Sequence, residues 1–185
     1  MTSAEQPVTP EPDPDAALMA EAAAGSQESF AALIRRHQNA LLNFFVRMGA
    51  HLDGEDLVQE TFLRVHRYRD RYRPAARFTT FLYVVARHAW ADRCRKAMRK
   101  ERLTLWLRTD AEIDGEAQGG VSTAAHDVQV GLNRLSPKLR EVLVLNIYQG
   151  LRYQEIADVL GIPLGTVKSR SNLALAAMRK ILDET

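Results

Sequence analysis

Cysteine is almost absent. Cys94 stands alone in 185 residues, so no disulfide can form within the chain and a reducing compartment, the cytoplasm, is the expected location. No apolar run approaches the ~18 residues a membrane helix needs, so no membrane insertion is expected. The opening MTSAEQPVTPEPDPD lacks both the basic start and the apolar stretch of a signal peptide. Glycine is sparse and scattered, with no Gly-rich phosphate loop, and no nucleophile–base pattern appears. His88 and Asp92 lie one helical turn apart, but no third ligand of suitable spacing accompanies them. The expectation is a protein without catalytic residues, metal, cofactor or small-molecule substrate.

What the chain does have is unevenly placed charge. The overall balance is only +2, yet it divides into net −6 over residues 1–30, +9 over 31–110, −4 over 111–130 and +3 over 131–185. Two basic blocks separated by acidic segments suit surfaces that face a polyanion, although Arg-rich helices are also ordinary solvated faces.

Residues 1–15 hold four of the seven prolines and show no periodicity, which predicts a disordered acidic tail. From 16 to 102 the apolar spacing is helical. Phe30, Leu33, Ile34, Leu41, Leu42 and Phe45 form one stripe, with Ser26 as N-cap and Gly49 as terminator. Asp53 is placed to cap a second helix carrying Leu57, Val58, Thr61, Phe62 and Val65, and a third runs from about Thr79 to Lys100. Residues 103–126, with Gly115, Gly119 and Gly120, predict a flexible acidic linker. Patterning resumes over 127–185. There Ser136-Pro137 opens a helix with Leu139, Val142, Leu143 and Ile147 at core spacing, and Gly150 ends it. The expected fold is all-α: two small helical domains on a flexible tether.

Near the C-terminus, Tyr153–Leu160 predicts a short helix, Gly161 a turn, and Val167-Lys168-Ser169-Arg170 the start of a longer helix. This is the layout of a helix-turn-helix, whose second helix enters the major groove. Lys168, Ser169 and Arg170 then become candidates for contacts to phosphates and base edges. In the first domain, Phe78, Phe81, Tyr83, Trp90, Arg87, His88, Arg93 and Lys96 interleave rings with cations. That pattern suits single-stranded nucleic acid, where bases stack on rings and Arg or Lys holds phosphates. The same rings are also what a small domain needs for its core. Asp53 to Phe62 combines an acidic helix start with a polar ridge, which reads either as dipole complement or as a protein-docking face.

Asp56-Leu57-Val58-Gln59-Glu60-Thr61-Phe62-Leu63, then 78–96, then Leu135-Ser136-Pro137 and Gly165-Thr166-Val167-Lys168-Ser169-Arg170, resemble an extracytoplasmic-function sigma factor, over roughly Glu21 to Leu182. The resemblance implies an RNA polymerase initiation subunit built from sigma region 2 and the helix-turn-helix sigma region 4. It further implies docking on the polymerase core through Asp56, Leu57, Gln59, Glu60 and Phe62. Opening and reading of the minus-ten element falls to Phe78, Phe81, Arg87, His88, Asp92, Arg93 and Lys96. Reading of the minus-thirty-five duplex falls to Thr166, Lys168, Ser169, Arg170 and Asn172. Core polymerase, promoter DNA and an anti-sigma factor are the implied partners. The chain departs from the family pattern in carrying Phe81 where Trp is usual, and Leu173 and Leu175 where Arg is common. A rival reading is a stand-alone helix-turn-helix regulator, which would bind duplex DNA without polymerase.

Overall fold

The computed structural model describes residues 13–73, 77–107 and 123–183, which form eight α-helices and no strand. Helices α1 (Pro14–Ala23), α2 (Gln27–Met48), α3 (Gly54–Arg67) and α4 (Phe78–Leu107) make a first module. Helices α5 (Thr123–Arg134), α6 (Pro137–Leu143), α7 (Tyr153–Leu160) and α8 (Leu164–Asp183) make a second.

Local chemistry sets the helix ends. The Ser26 hydroxyl accepts the Ser29 N–H at 3.2 Å, and Gly49 closes α2 at φ 111°, where a side chain would be strained. Along α2 the residues Leu33, His37, Leu41, Phe44, Phe45 and Met48 are buried, one stripe facing α1 and α3, with the rings of His37 and Phe44 against Phe78 and Tyr83 of α4. Asp53 occupies the N-cap position of α3 as expected. Its carboxylate bonds to Arg93 of α4 instead of to its own helix, so the acid joins two elements.

Four boundaries differ from expectation. The tail was expected to run through Asp15, but α1 already starts at Pro14: Asp13 caps it, and Asp15 is buried against Arg36 and His37. Ionic partners contributed by α2 are invisible to a reading based on local composition. Residues 1–12 lie outside the described residues. Helix α4 continues through Leu107, five residues past the expected edge of the linker, whose residues 108–122 also lie outside the description. Helix α8 begins at Leu164, so Gly165 and Thr166 already belong to its first turn. Finally, Val144–Tyr148 winds as a π-helix after α6, with Gln149 N–H bonded to the Val144 carbonyl. The wider turn shifts the helical phase and leaves Ile147 56% exposed instead of in the core.

The modules pack against each other. Arg140 of α6 donates to the carbonyls of Leu132 and Asn133 (both 2.7 Å) and to that of Met48, the last residue of α2 (3.1 Å). The Arg47 guanidinium lies 3.6 Å from the ring centroid of Tyr148. Tyr83 of α4 donates its hydroxyl to Gln149 Oε1, and Arg87 Nε reaches Glu141 Oε1 at 3.0 Å. Arg77 Nε lies 3.6 Å from Glu155 Oε1 on α7.

Candidate nucleic-acid interface

In the second module the sequence builds a bihelical unit. Ile156, Ala157, Val159 and Leu160 of α7 are buried, and Gly161 turns the chain at φ 65°. Val167, Ser171, Ala174 and Met178 then carry the inner stripe of α8. The Tyr153 hydroxyl lies 3.1 Å from Ser171 Oγ, tying the two helices across their angle. This packing pushes Lys168, Ser169 and Asn172 outward and leaves Thr166 and Arg170 half-buried at the same end. All five candidate residues of α8 therefore sit on the first turns of one helix. The Ser169 hydroxyl donates to the Gly165 carbonyl at 3.0 Å, which leaves its oxygen lone pairs facing out. Leu173 is 60% and Leu175 43% exposed, so both are turned from the core.

In the first module the candidates divide. Phe78 is fully buried, with its ring centroid 5.3 Å from that of His37 and 6.2 Å from that of Tyr72. It is a core residue and offers no stacking platform. Tyr83 is buried too, and burial pushes its phenol above the ordinary tyrosine range. Phe81 and Trp90 are half-buried and keep accessible ring surface. His88 and Lys96 are exposed. Arg87, Asp92 and Arg93 are engaged, Arg87 with Glu141, Arg93 with Asp53, and Asp92 with both Arg64 (2.7 Å) and Arg95. The bond from Arg64, reinforced by Arg95, holds the Asp92 carboxyl below the usual carboxylate range. Burial raises the Cys94 thiol, only partly offset by Arg93, so it is no activated nucleophile. Among the described residues, no three His, Cys, Asp or Glu side chains cluster to hold a metal.

Helix α3 also splits its candidates. Leu57 and Phe62 are each only 5% exposed, and Phe62 packs edge-on to Phe30 at 6.4 Å. The helix stripe assigns both mainly to the core, with Leu57 reaching the floor of a cleft beside Asp56, Glu60 and Lys96. Asp56 and Gln59 are exposed, Leu63 beside them is 62% exposed, and Glu60 bonds to Arg64 at 2.6 Å.

The candidate list omitted a cationic rim between α3 and α4. Arg67, Arg71, Arg73 and Arg77 are exposed and Arg69 half-exposed, with the Arg71 guanidinium 5.1 Å from the Tyr68 ring centroid. The alternation Arg-Tyr-Arg-Asp-Arg-Tyr-Arg over 67–73 was the available signal.

A helix-turn-helix on one module, and a cationic helix with half-open rings on the other, define a two-module DNA-binding protein. Residues 33–100 match the family model for sigma-70 region 2, and residues 126–178 match that for sigma-70 region 4. The chain is 32% identical to the ECF RNA polymerase sigma factor SigC of Mycobacterium tuberculosis over 83% of each chain. It is 33% identical to the RNA polymerase sigma factor CarQ of Myxococcus xanthus, over 86% of this chain and 92% of that one. Among solved structures, it resembles CnrH in complex with the cytosolic domain of CnrY, at 29% identity and a TM-score of 0.71, over 92% of this chain and 97% of that one. RpoE of Bartonella quintana, solved with the anti-sigma factor NepR, matches at 25% identity and a TM-score of 0.72, over 84% of this chain and 98% of that one. The chain belongs to the sigma-70 family, as an extracytoplasmic-function sigma factor of RNA polymerase. Among the described residues, no helix is long and apolar enough to cross a membrane.

Proposed function

We propose that the chain recruits core RNA polymerase to a bipartite promoter, with the two modules reading separate elements. The first module, approximately 16–102, docks on the core through Asp56, Gln59, Glu60 and the adjoining Leu63. It receives the melted minus-ten strand on Phe81, Trp90, Arg87, His88, Arg93, Lys96 and the rim from Arg67 to Arg77. The second module, approximately 127–185, reads the minus-thirty-five duplex with Thr166, Lys168, Ser169, Arg170 and Asn172. No bond is made or broken by the chain. Bases captured from the melted strand shift a duplex-opening equilibrium, so binding energy alone does the work. The protein acts in the cytoplasm and is restrained by an anti-sigma factor, a kind of partner present in the solved complex of its relative RpoE.

The observation that carries this reading is the coexistence, on one chain, of a groove-fitting helix exposing Lys168, Ser169 and Asn172 and, on the other module, a cationic helix with half-open rings. Reconstituted transcription tests it. Core polymerase with the chain should start transcripts from promoters upstream of genes induced by its overexpression, and core alone should not. Equal transcription with and without the chain would refute the reading. Tight, site-specific duplex binding by the chain alone would favour a polymerase-independent regulator.

A further inference from the structure

Among the polar side chains on the outer face of α8 stands an exposed leucine, Leu173. Val167 and Ala174 are fully buried, which fixes the rotation of the helix about its axis. At about 100° per residue, Leu173 then projects about 20° from Thr166 and about 40° from Ser169. It belongs to the sector that a helix-turn-helix presents to the major groove. Along the axis it lies about 6 Å beyond Ser169, roughly two base-pair steps. Its neighbours one turn away on the outer side are Ser169 and Ala176, both exposed and both too small to cover it. Leu175 is placed differently. It is rotated about 160° from Leu173, on the flank of Lys168, so the two leucines make no joint apolar patch for a protein partner.

The floor of the major groove offers a leucine one kind of partner. Guanine N7 and O6, adenine N7 and N6, cytosine N4 and thymine O4 all need a hydrogen bond, which Leu173 cannot give; the 5-methyl group of thymine is the apolar exception. We propose that Leu173 is a specificity-determining residue of the minus-thirty-five contact, selecting thymine by packing on its 5-methyl group. This rests on the minus-thirty-five assignment made above. The discrimination needs no hydrogen bond. With thymine present, two apolar surfaces leave water together; with another base, a polar edge loses water and gains no partner.

Removing one methyl group from the DNA tests this. Deoxyuridine keeps every hydrogen-bonding group of thymidine and lacks only the 5-methyl. Holoenzyme assembled from core polymerase and the full-length chain is titrated against a duplex carrying the minus-thirty-five element of a promoter it transcribes. Each thymine of the element is replaced by deoxyuridine in turn. One replacement should weaken binding about fourfold, the equivalent of one buried methyl group. In Leu173→Ala, which shortens an exposed side chain, the same replacement should change affinity by less than about twofold. Leu175→Ala should keep the native dependence. A native holoenzyme indifferent to every replacement, an element without thymine, or a dependence that persists in Leu173→Ala overturns the proposal. So does an equal loss of dependence in Leu175→Ala. A duplex with a scrambled minus-thirty-five element is run in parallel. If scrambling weakens native binding while deoxyuridine does not, thymine selection fails and the minus-thirty-five assignment stands. If scrambling also leaves binding unchanged, the assignment itself has failed.

Discussion

The carboxylate of Asp13 accepts the main-chain N–H of Phe78, 65 residues away, at 2.7 Å, while its other oxygen accepts that of Asp15 at 3.1 Å. One side chain therefore caps both α1 and α4, satisfying orphan donors at two helix starts. Asp13→Ala should lower stability by about 1–3 kcal/mol, the loss of two caps. Asn accepts through only one oxygen, so Asp13→Asn should fall between native and Ala. Denaturant unfolding followed by circular dichroism reads the order; an Ala variant as stable as native would show that neither cap contributes.

Phe62 and Phe78 are core residues, so their substitution acts on folding. Phe62→Ala or Phe78→Ala should cost about 3–5 kcal/mol through lost contacts and a cavity. Asp56→Lys and Gln59→Ala, both exposed, should leave the unfolding midpoint within about 0.5 kcal/mol of native while weakening capture by core polymerase. Unfolding curves and core-binding titrations on the same four proteins separate the two classes.

Arg170→Ala should weaken binding to the minus-thirty-five duplex by about 1–3 kcal/mol if its guanidinium reads a base. Lys168→Ala should act through phosphate, lowering affinity similarly on all sequences and reducing the salt slope by about one. Anisotropy titrations of polymerase holoenzyme at several salt concentrations distinguish a base reader from a phosphate anchor.

Tyr72 gives the first module an alkaline limit. Its phenol is pushed up to about 12, mainly by burial and further by the negative charges of Asp13 and Asp15. The folded state thus holds this proton more tightly than the unfolded chain does, so the associated stability is complete below about pH 10 and is lost as pH rises towards 12. The loss from this group is about 2 kcal/mol. Unfolding free energies measured from pH 9 to 12 should fall, and Tyr72→Phe should fall less steeply.

Much of this architecture was legible because it is local. Ser26, Gly49, Gly150 and Gly161 punctuate helices through short-range hydrogen bonding and backbone freedom, and the bounds of Tyr153–Leu160 follow from them. The outward set Lys168, Ser169 and Asn172 followed from the 3.6-residue period once Val167 was placed inside. What was not legible depends on partners distant in sequence. Asp13 and Asp15 look like tail residues until His37, Arg36 and the Phe78 N–H are brought to them. Leu57, Phe62 and Phe78 carry motif positions and core positions at once, and only packing shows which role the side chain fills. Ile147 was misplaced because a π-turn breaks the period on which its core assignment relied.

Helix α4 is thirty residues long, about 45 Å of continuous rod, and from Arg95 to Lys100 every residue is exposed. It works as a spar: the chain departs towards α5 from a point roughly 20 Å beyond Arg95, in a direction fixed by helical phase. Adding one residue between Lys96 and Lys100 would swing that departure point by about 100° around the rod. The helix that carries the minus-ten candidates thereby also sets the bearing from which the rest of the polypeptide sets out.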